Sequence, residues 1–205
     1  MLMKFPQAMA KAVITFLRWY PSLLGTWNGT NIVTAIGGKP TRKLHVNTDG
    51  GTGKDGDPHP SGGAGAWVRG IAAAATAWPI PLEDLKVKLS STLLEWWAMT
   101  AIIIKLHRTG LLRGAEVTIQ TDSKPAADGY DSGNSNETLY PFLLIIVKYV
   151  TINSAALNIR HVSRDENGTA DSLARGLIPS HLFPIHVWHL PLKSALREFY
   201  ELHRL

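Results

Sequence analysis

Four carboxylates, Asp49, Glu95, Asp122 and Asp171, each stand where a strand-like run ends or early in a helix-like one. The strings around them are Leu44-His45-Val46-Asn47-Thr48-Asp49-Gly50-Gly51, Thr92-Leu93-Leu94-Glu95, Val117-Thr118-Ile119-Gln120-Thr121-Asp122-Ser123 and Asn167-Gly168-Thr169-Ala170-Asp171. An acid at the edge of an apolar strand needs a partner, because an unpaired charge is costly to remove from water. Four arriving this way suggest a shared cation. Hard divalent ions take oxygen ligands, and magnesium keeps several waters while using a few carboxylates and substrate phosphates. Two such ions about 4 Å apart can activate a water and stabilise a departing 3′ oxygen. The chemistry implied is metal-assisted cleavage of a phosphodiester. Carboxylates this close repel, so without metal at least one should have a raised pKa. Singly, each acid has a plainer explanation: Glu95 as a capping residue, Asp122 as the cap of a following helix. Most of the sixteen acids, such as Asp55, Asp57, Glu83 and Glu198, read as solvated. The joint pattern is what favours a site.

The elements that must position these groups follow from periodicity and punctuation. A short helix is expected over residues 7–19, ended by Pro21. Leu44 to Thr48 alternates as a strand, and the Gly- and Pro-rich stretch from Gly50 to Gly63 must be a loop. Ala64–Ala72 and Ala74–Ile80 are expected to complete an antiparallel meander. Thr92 and Glu95 have the spacing of a capping box, opening a helix to about His107. Then come a strand over Ala115–Thr121, a short helix and turn over Asp122–Gly133 and an apolar helix from Glu137 to about Ile152. A strand over Ala156–Val162 and a helix over Asn167–Arg175 follow. Pro179, Pro184 and Pro191 punctuate a tail before an amphipathic helix over Leu192–Leu205. The order βββαβαβα implies an α/β fold: a five-stranded mixed sheet flanked by helices, with helical extensions at both ends. In such a sheet, sites form at the ends of central strands, which would make Asp49 and Asp122 neighbours.

Bulk properties narrow the class. At 205 residues, 45% hydrophobic and 18% charged, the chain suits one medium domain with extensions. It has no cysteine, which excludes disulfides, zinc-thiolate sites and thiol nucleophiles and fits an intracellular, reducing setting. The net charge of +5 and pI near 9.5 are mild evidence for a polyanionic partner. No acid precedes Asp49, while Lys4, Lys11, Arg18, Lys39, Arg42 and Lys43 all do. No apolar run approaches the roughly 20 residues of a membrane span, so no membrane partner is expected. The acid-poor N-terminus raises mitochondrial import as a minor alternative to nucleus or cytoplasm, weakened by its single arginine and absent serine over residues 1–20.

With these residues in place, the chain from about Leu44 to Gly176 resembles ribonuclease H. The resemblance rests on Thr48-Asp49-Gly50 and the long loop into Gly65-Ala66-Trp67, on Leu94-Glu95, on Thr121-Asp122-Ser123, and on Asn167-x-x-Ala170-Asp171. The string from Arg160 to Arg175 resembles the ending of retroelement reverse-transcriptase ribonuclease H domains, the tyrosine-recombinase type being nearest. Leu17-Arg18-Trp19-Tyr20 and Trp27-Asn28-Gly29 resemble the segment joining polymerase to ribonuclease H, and Ser132-Gly133-Asn134-Ser135-Asn136 a turn before the long helix. The division this suggests is a basic connection over 1–43, a ribonuclease-H-like domain over 44–176 and a tail over 177–205.

The resemblance implies an endonuclease cutting the RNA strand of RNA–DNA hybrids with two Mg2+ ions, Mn2+ substituting. Asp49 would contact both metals, Glu95 and Asp122 one, and Asp171 the other. Gly50 and Gly51 would approach the minor groove, with Ser123 and Asn167 as further substrate contacts; a reverse-transcriptase polymerase domain is a possible partner. An inactive ribonuclease-H-like scaffold or nucleic-acid-binding module, or another nuclease of the same fold, remain the alternatives. Two family features are missing: a mobile histidine loop before the last helix, with His161 better placed in the strand, and a basic, Trp-rich handle after the first long helix. Weak intrinsic hybrid affinity follows, with the basic 1–43 segment supplying part of it. Filter binding should therefore weaken when residues 1–43 are deleted, and affinity that stays high would argue against that role.

Overall fold

The computed structural model describes residues 40–132 and 138–203. The helix expected over 7–19, most of the 1–43 connection and the 133–136 turn lie outside them. The sheet has six strands: β1 (Arg42–Gly51), β2 (Gly63–Val68), β3 (Ala72–Ala77), β4 (Ala115–Thr121), β5 (Ala156–His161) and β6 (His186–Trp188). Their order is β5-β4-β1-β2-β3-β6. β1, β2 and β3 form the antiparallel meander, while β4 runs parallel to β1, β5 to β4 and β6 to β3. The α/β class and mixed sheet agree with the sequence reading; the strand count is six, not five. β6 escaped it because three residues between prolines carry no measurable alternation. Its place is set by pairing with β3, Ala72 opposite His186 and Ala74 opposite Trp188. The second and third strands also divide earlier than expected. Gly70, at φ +74°, turns the chain at Arg69–Ile71, where an alanine-rich run gave no boundary.

Among the described residues five helices flank the sheet: α1 (Ser91–Arg108), α2 (Lys124–Ser132), α3 (Tyr140–Ile152), α4 (Arg164–Ala174) and α5 (Leu192–His203). α1 is buried on nearly every side, as a helix enclosed by sheet and other helices must be apolar all round. The side chains alternating from Leu44 through Val46 and from Val117 through Ile119 meet it from the sheet. α4 covers β1, β2 and β3 from the opposite face, over a smaller cluster of Ala73, Leu173 and Leu182. α3 starts at Tyr140 rather than Glu137, with Pro141 in its first turn, where a missing N–H is harmless.

The capping box forms elsewhere than expected. Ser90, not Thr92, caps α1 by accepting from the Leu93 N–H at 3.1 Å. The reciprocal box belongs to α4, where Ser163 accepts from the Glu166 N–H and Glu166 from the Ser163 N–H. That extends α4 three residues upstream of its expected start at Asn167.

The tail is built into this core. Trp97 donates its indole N–H to the Leu192 carbonyl at 3.0 Å and stacks on Trp78, ring centroids 4.5 Å apart. Phe199 stacks on Phe142 at 4.4 Å, and Glu198 accepts from Tyr149 and pairs with Lys148. α5 thus fills the groove between α1 and α3. Truncating the buried Phe199 to alanine should lower the unfolding free energy by about 3–5 kcal/mol. Denaturant titration checks this; a loss under about 1 kcal/mol would show that α5 adds little to the core.

Candidate active site

Asp49 lies near the end of β1, opposite Gly65, and Asp122 directly follows the parallel strand β4. Glu95 projects from the second turn of α1. Ligand oxygens of Asp49, Glu95 and Asp122 lie within 4.8 Å of one another, with Asp49 and Glu95 buried and Asp122 half-buried. Glu95 is free for this because Ser90 does the capping. Its carboxylate instead accepts from the Thr121 hydroxyl at 3.1 Å and from the Gly50 backbone N–H. Asp171 stands on the rim of the same open cleft, whose volume is about 500 Å³. It is flanked by Arg164 at 3.8 Å and Arg175 at 3.9 Å. The structure therefore gathers three of the four acids tightly and places the fourth beside them.

Two glycines set these distances. A Cβ on Gly50 would collide with the Leu94 carbonyl, and one on Gly65 with the Ala170 carbonyl. α1 thus meets β1 backbone to backbone one residue before Glu95, and α4 meets β2 one residue before Asp171. Gly50 was expected to approach substrate; it lines the cleft, but its Cα is pressed against α1 and its N–H is given to Glu95. Gly51 keeps an open side, with only the Asp49 carboxylate within reach.

Asn167, expected as a substrate contact, is fully buried and has no surface to offer one. Its amide donates to the Thr48 carbonyl at 2.9 Å and to Asp122 Oδ1 at 3.1 Å. It orients a site carboxylate instead. Ser123 is not part of the cleft lining; its carbonyl accepts the first hydrogen bonds of α2 and its N–H donates to the Thr121 hydroxyl. These contacts place it at the start of α2. His161 ends β5, paired with Thr121 and exposed, and only Val162 and Ser163 separate β5 from α4. No loop of the accessory-histidine kind fits between them.

Sequence reading missed the cations of the cleft, Lys54, Arg164 and Arg175. The signal was present: Arg164, Asp171 and Arg175 are spaced by seven and four residues, which puts them on one helix face. Arg175 also grips Asp57 through two bonds of 2.8 Å, tying the Gly-rich loop to the end of α4. That contact holds the Asp57 carboxyl below its usual range.

The electrostatics show what the cluster would accept. Burial, then the charges of Asp122 and Asp171, push Asp49 up to about 7, against a smaller opposing pull from Arg164. Burial, then Asp49 and Asp122, push Glu95 up to about 9, against the hydrogen bonds from Thr121 and Gly50. Excess negative charge on hard oxygen donors at this spacing fits a divalent cation.

Comparison with protein-family models and with curated proteins finds no match. Among solved structures, LC11-RNase H1, isolated from compost by a metagenomic approach, is similar with a TM-score of 0.50 and 21% identity, over 68% of this chain and 98% of that one. Its complex with an RNA/DNA hybrid gives a TM-score of 0.47 and 18% identity, over 68% and 99% of the two chains. The N-terminal RNase H domain of Rv2228c from Mycobacterium tuberculosis, solved as a fusion with maltose-binding protein, gives 0.49 and 21%, over 67% and 99%. The chain has a ribonuclease-H-like fold, with an acidic cluster at the ends of its central parallel strands.

The raised carboxyls carry a stability consequence. In the unfolded chain both acids ionise near pH 4, whereas the folded, metal-free chain holds their protons toward about pH 7 and 9. Folded protein then binds more protons than unfolded across that window, so their contribution to stability falls as pH rises. The metal-free unfolding midpoint should drop from about pH 5 to about pH 8, and added magnesium should restore more at the upper end. Thermal scans with and without chelator read this directly; a midpoint rising with pH in chelator would mean that burial and mutual repulsion do not raise these carboxyls.

Proposed function

We propose that the chain is a ribonuclease H: a metal-dependent endonuclease that hydrolyses the RNA strand of RNA–DNA hybrids. The observation that carries this is the convergence of Asp49, Glu95 and Asp122, with Asp171 on the same cleft. Asp49, Glu95, Asp122 and Asp171 would hold two Mg2+ ions, with Mn2+ able to substitute, and these when bound activate a water and stabilise the departing 3′ oxygen. The protein's own part is to fix these carboxylates, through Thr121, Gly50 and Asn167, before substrate arrives. Lys54, Arg164 and Arg175 supply positive charge along the cleft where phosphates would run. Gly51, open on its cleft side, leaves room for a sugar edge, where a 2′-hydroxyl distinguishes RNA from DNA.

The retroelement part of the reading rests on the string from Arg160 to Arg175 and on the basic 1–43 segment. A reverse-transcriptase polymerase domain is the partner it implies, and an intracellular site, nucleus or cytoplasm, the setting. Among the described residues no helix is long and apolar enough to cross a membrane.

A strand-labelled hybrid incubated with magnesium tests the proposal. The protein should cut the RNA strand, and Asp49→Asn should lose about 100-fold or more of the rate, corresponding to about 3 kcal/mol of transition-state stabilisation. Equal cutting by both proteins would place the activity elsewhere, and cutting of the DNA strand would sink the assignment.

A further inference from the structure

We infer that Arg69, an exposed residue at the turn between β2 and β3 and not among those lining the cleft, is a positioning residue for Asp122, acting through Asn47 and Asn167. The inference rests on the carboxylate site proposed above. Three hydrogen bonds connect the two ends. Arg69 Nε donates to Asn47 Oδ1 at 3.0 Å, Asn47 Nδ2 donates to Asn167 Oδ1 at 3.3 Å, and Asn167 Nδ2 donates to Asp122 Oδ1 at 3.1 Å. Both asparagines are fully buried.

The direction of this relay is fixed by chemistry. Arginine has only donors, so the Asn47 oxygen must face it. The Asn47 NH2 then faces the Asn167 oxygen, with the Glu166 carbonyl at 3.4 Å as second acceptor. The Asn167 NH2 is left for Asp122 and for the Thr48 carbonyl at 2.9 Å. Every amide proton and each amide oxygen has a partner. Reversing either amide would set oxygen against oxygen in a buried site, where an unmatched polar group is most costly.

The fork of the guanidinium matters as much as its charge. While Nε binds Asn47 on β1, a terminal nitrogen of Arg69 donates to Gln120 Oε1 on β4, two residues before Asp122. Arg69 therefore clamps the two parallel strands whose ends carry Asp49 and Asp122, and it lies over the Trp67 ring at 5.5 Å. A lysine would keep the charge but cannot span both acceptors with the same planar geometry.

The test uses the full chain and Mn2+ as probe. Isothermal titration should show Mn2+ affinity falling about 10-fold in both Arg69→Met and Arg69→Lys, and further in Asn167→Ala, the range expected when a ligand loses its orienting partner. Hybrid KM should stay within about twofold of the parent. Three results would overturn the role: unchanged Mn2+ affinity with a lowered unfolding midpoint, which means simple structural support; full retention by Arg69→Lys, which means charge alone; or a raised KM with unchanged Mn2+ affinity, which means substrate contact. Parent protein that binds Mn2+ but cuts no hybrid refutes the nuclease reading and leaves the relay to be judged on affinity. Parent protein that binds no Mn2+ refutes both.

Discussion

Repulsion among carboxylates is the force this structure is organised against. Three acids whose oxygens approach within 4.8 Å, two of them buried, would separate or protonate if left to themselves. Burial first, and then their neighbours' charges, push both Asp49 and Glu95 toward the protonated form. Such a cluster persists only where backbone and side chains allow no other arrangement. Much of the unusual local packing follows from that requirement.

The restraint acts at the level of main-chain contact. Gly50 against Leu94 and Gly65 against Ala170 let two helices, one on each face, close onto the sheet without a side chain between. α1 cannot back away, because sheet, α3 and α5 enclose it. Asn167 then ties α4 to β1 and to Asp122 in a single side chain. Repulsion is thus opposed by apolar burial and by hydrogen bonds that are already satisfied.

The acids themselves were legible in the sequence, because each sits beside a strand or helix with strong local signal. β4 was read to the residue, since Ala115–Thr121 is β-branched and bounded by Gly114 and Asp122. What was not legible depends on partners far along the chain. Thr92 and Glu95 have the spacing of a capping box, yet Ser90 caps α1 and Glu95 is held by Thr121 and Gly50 instead of reaching back. Asn167 looks equally suited to surface or interior until α4 is laid on β1. β6 has no identity apart from β3. Gly50 has a second role that no local pattern shows: it lines the cleft, and its missing Cβ also lets α1 close onto β1.

The long return of the tail also has a kinetic side. Leu190 donates its backbone N–H to Thr76, 114 positions earlier, and Phe199 meets Phe142 only after β5, α4 and β6 have been laid down. Closing contacts of such separation are slow, since loop entropy is spent before they form. During vectorial synthesis the apolar backs of α1 and α3 therefore leave the ribosome well before α5 exists to cover them. For that interval Trp97 and Phe142 lack the contacts that Leu192 and Phe199 supply. The last helix thus sets how long the nascent chain is open to aggregation or chaperone capture.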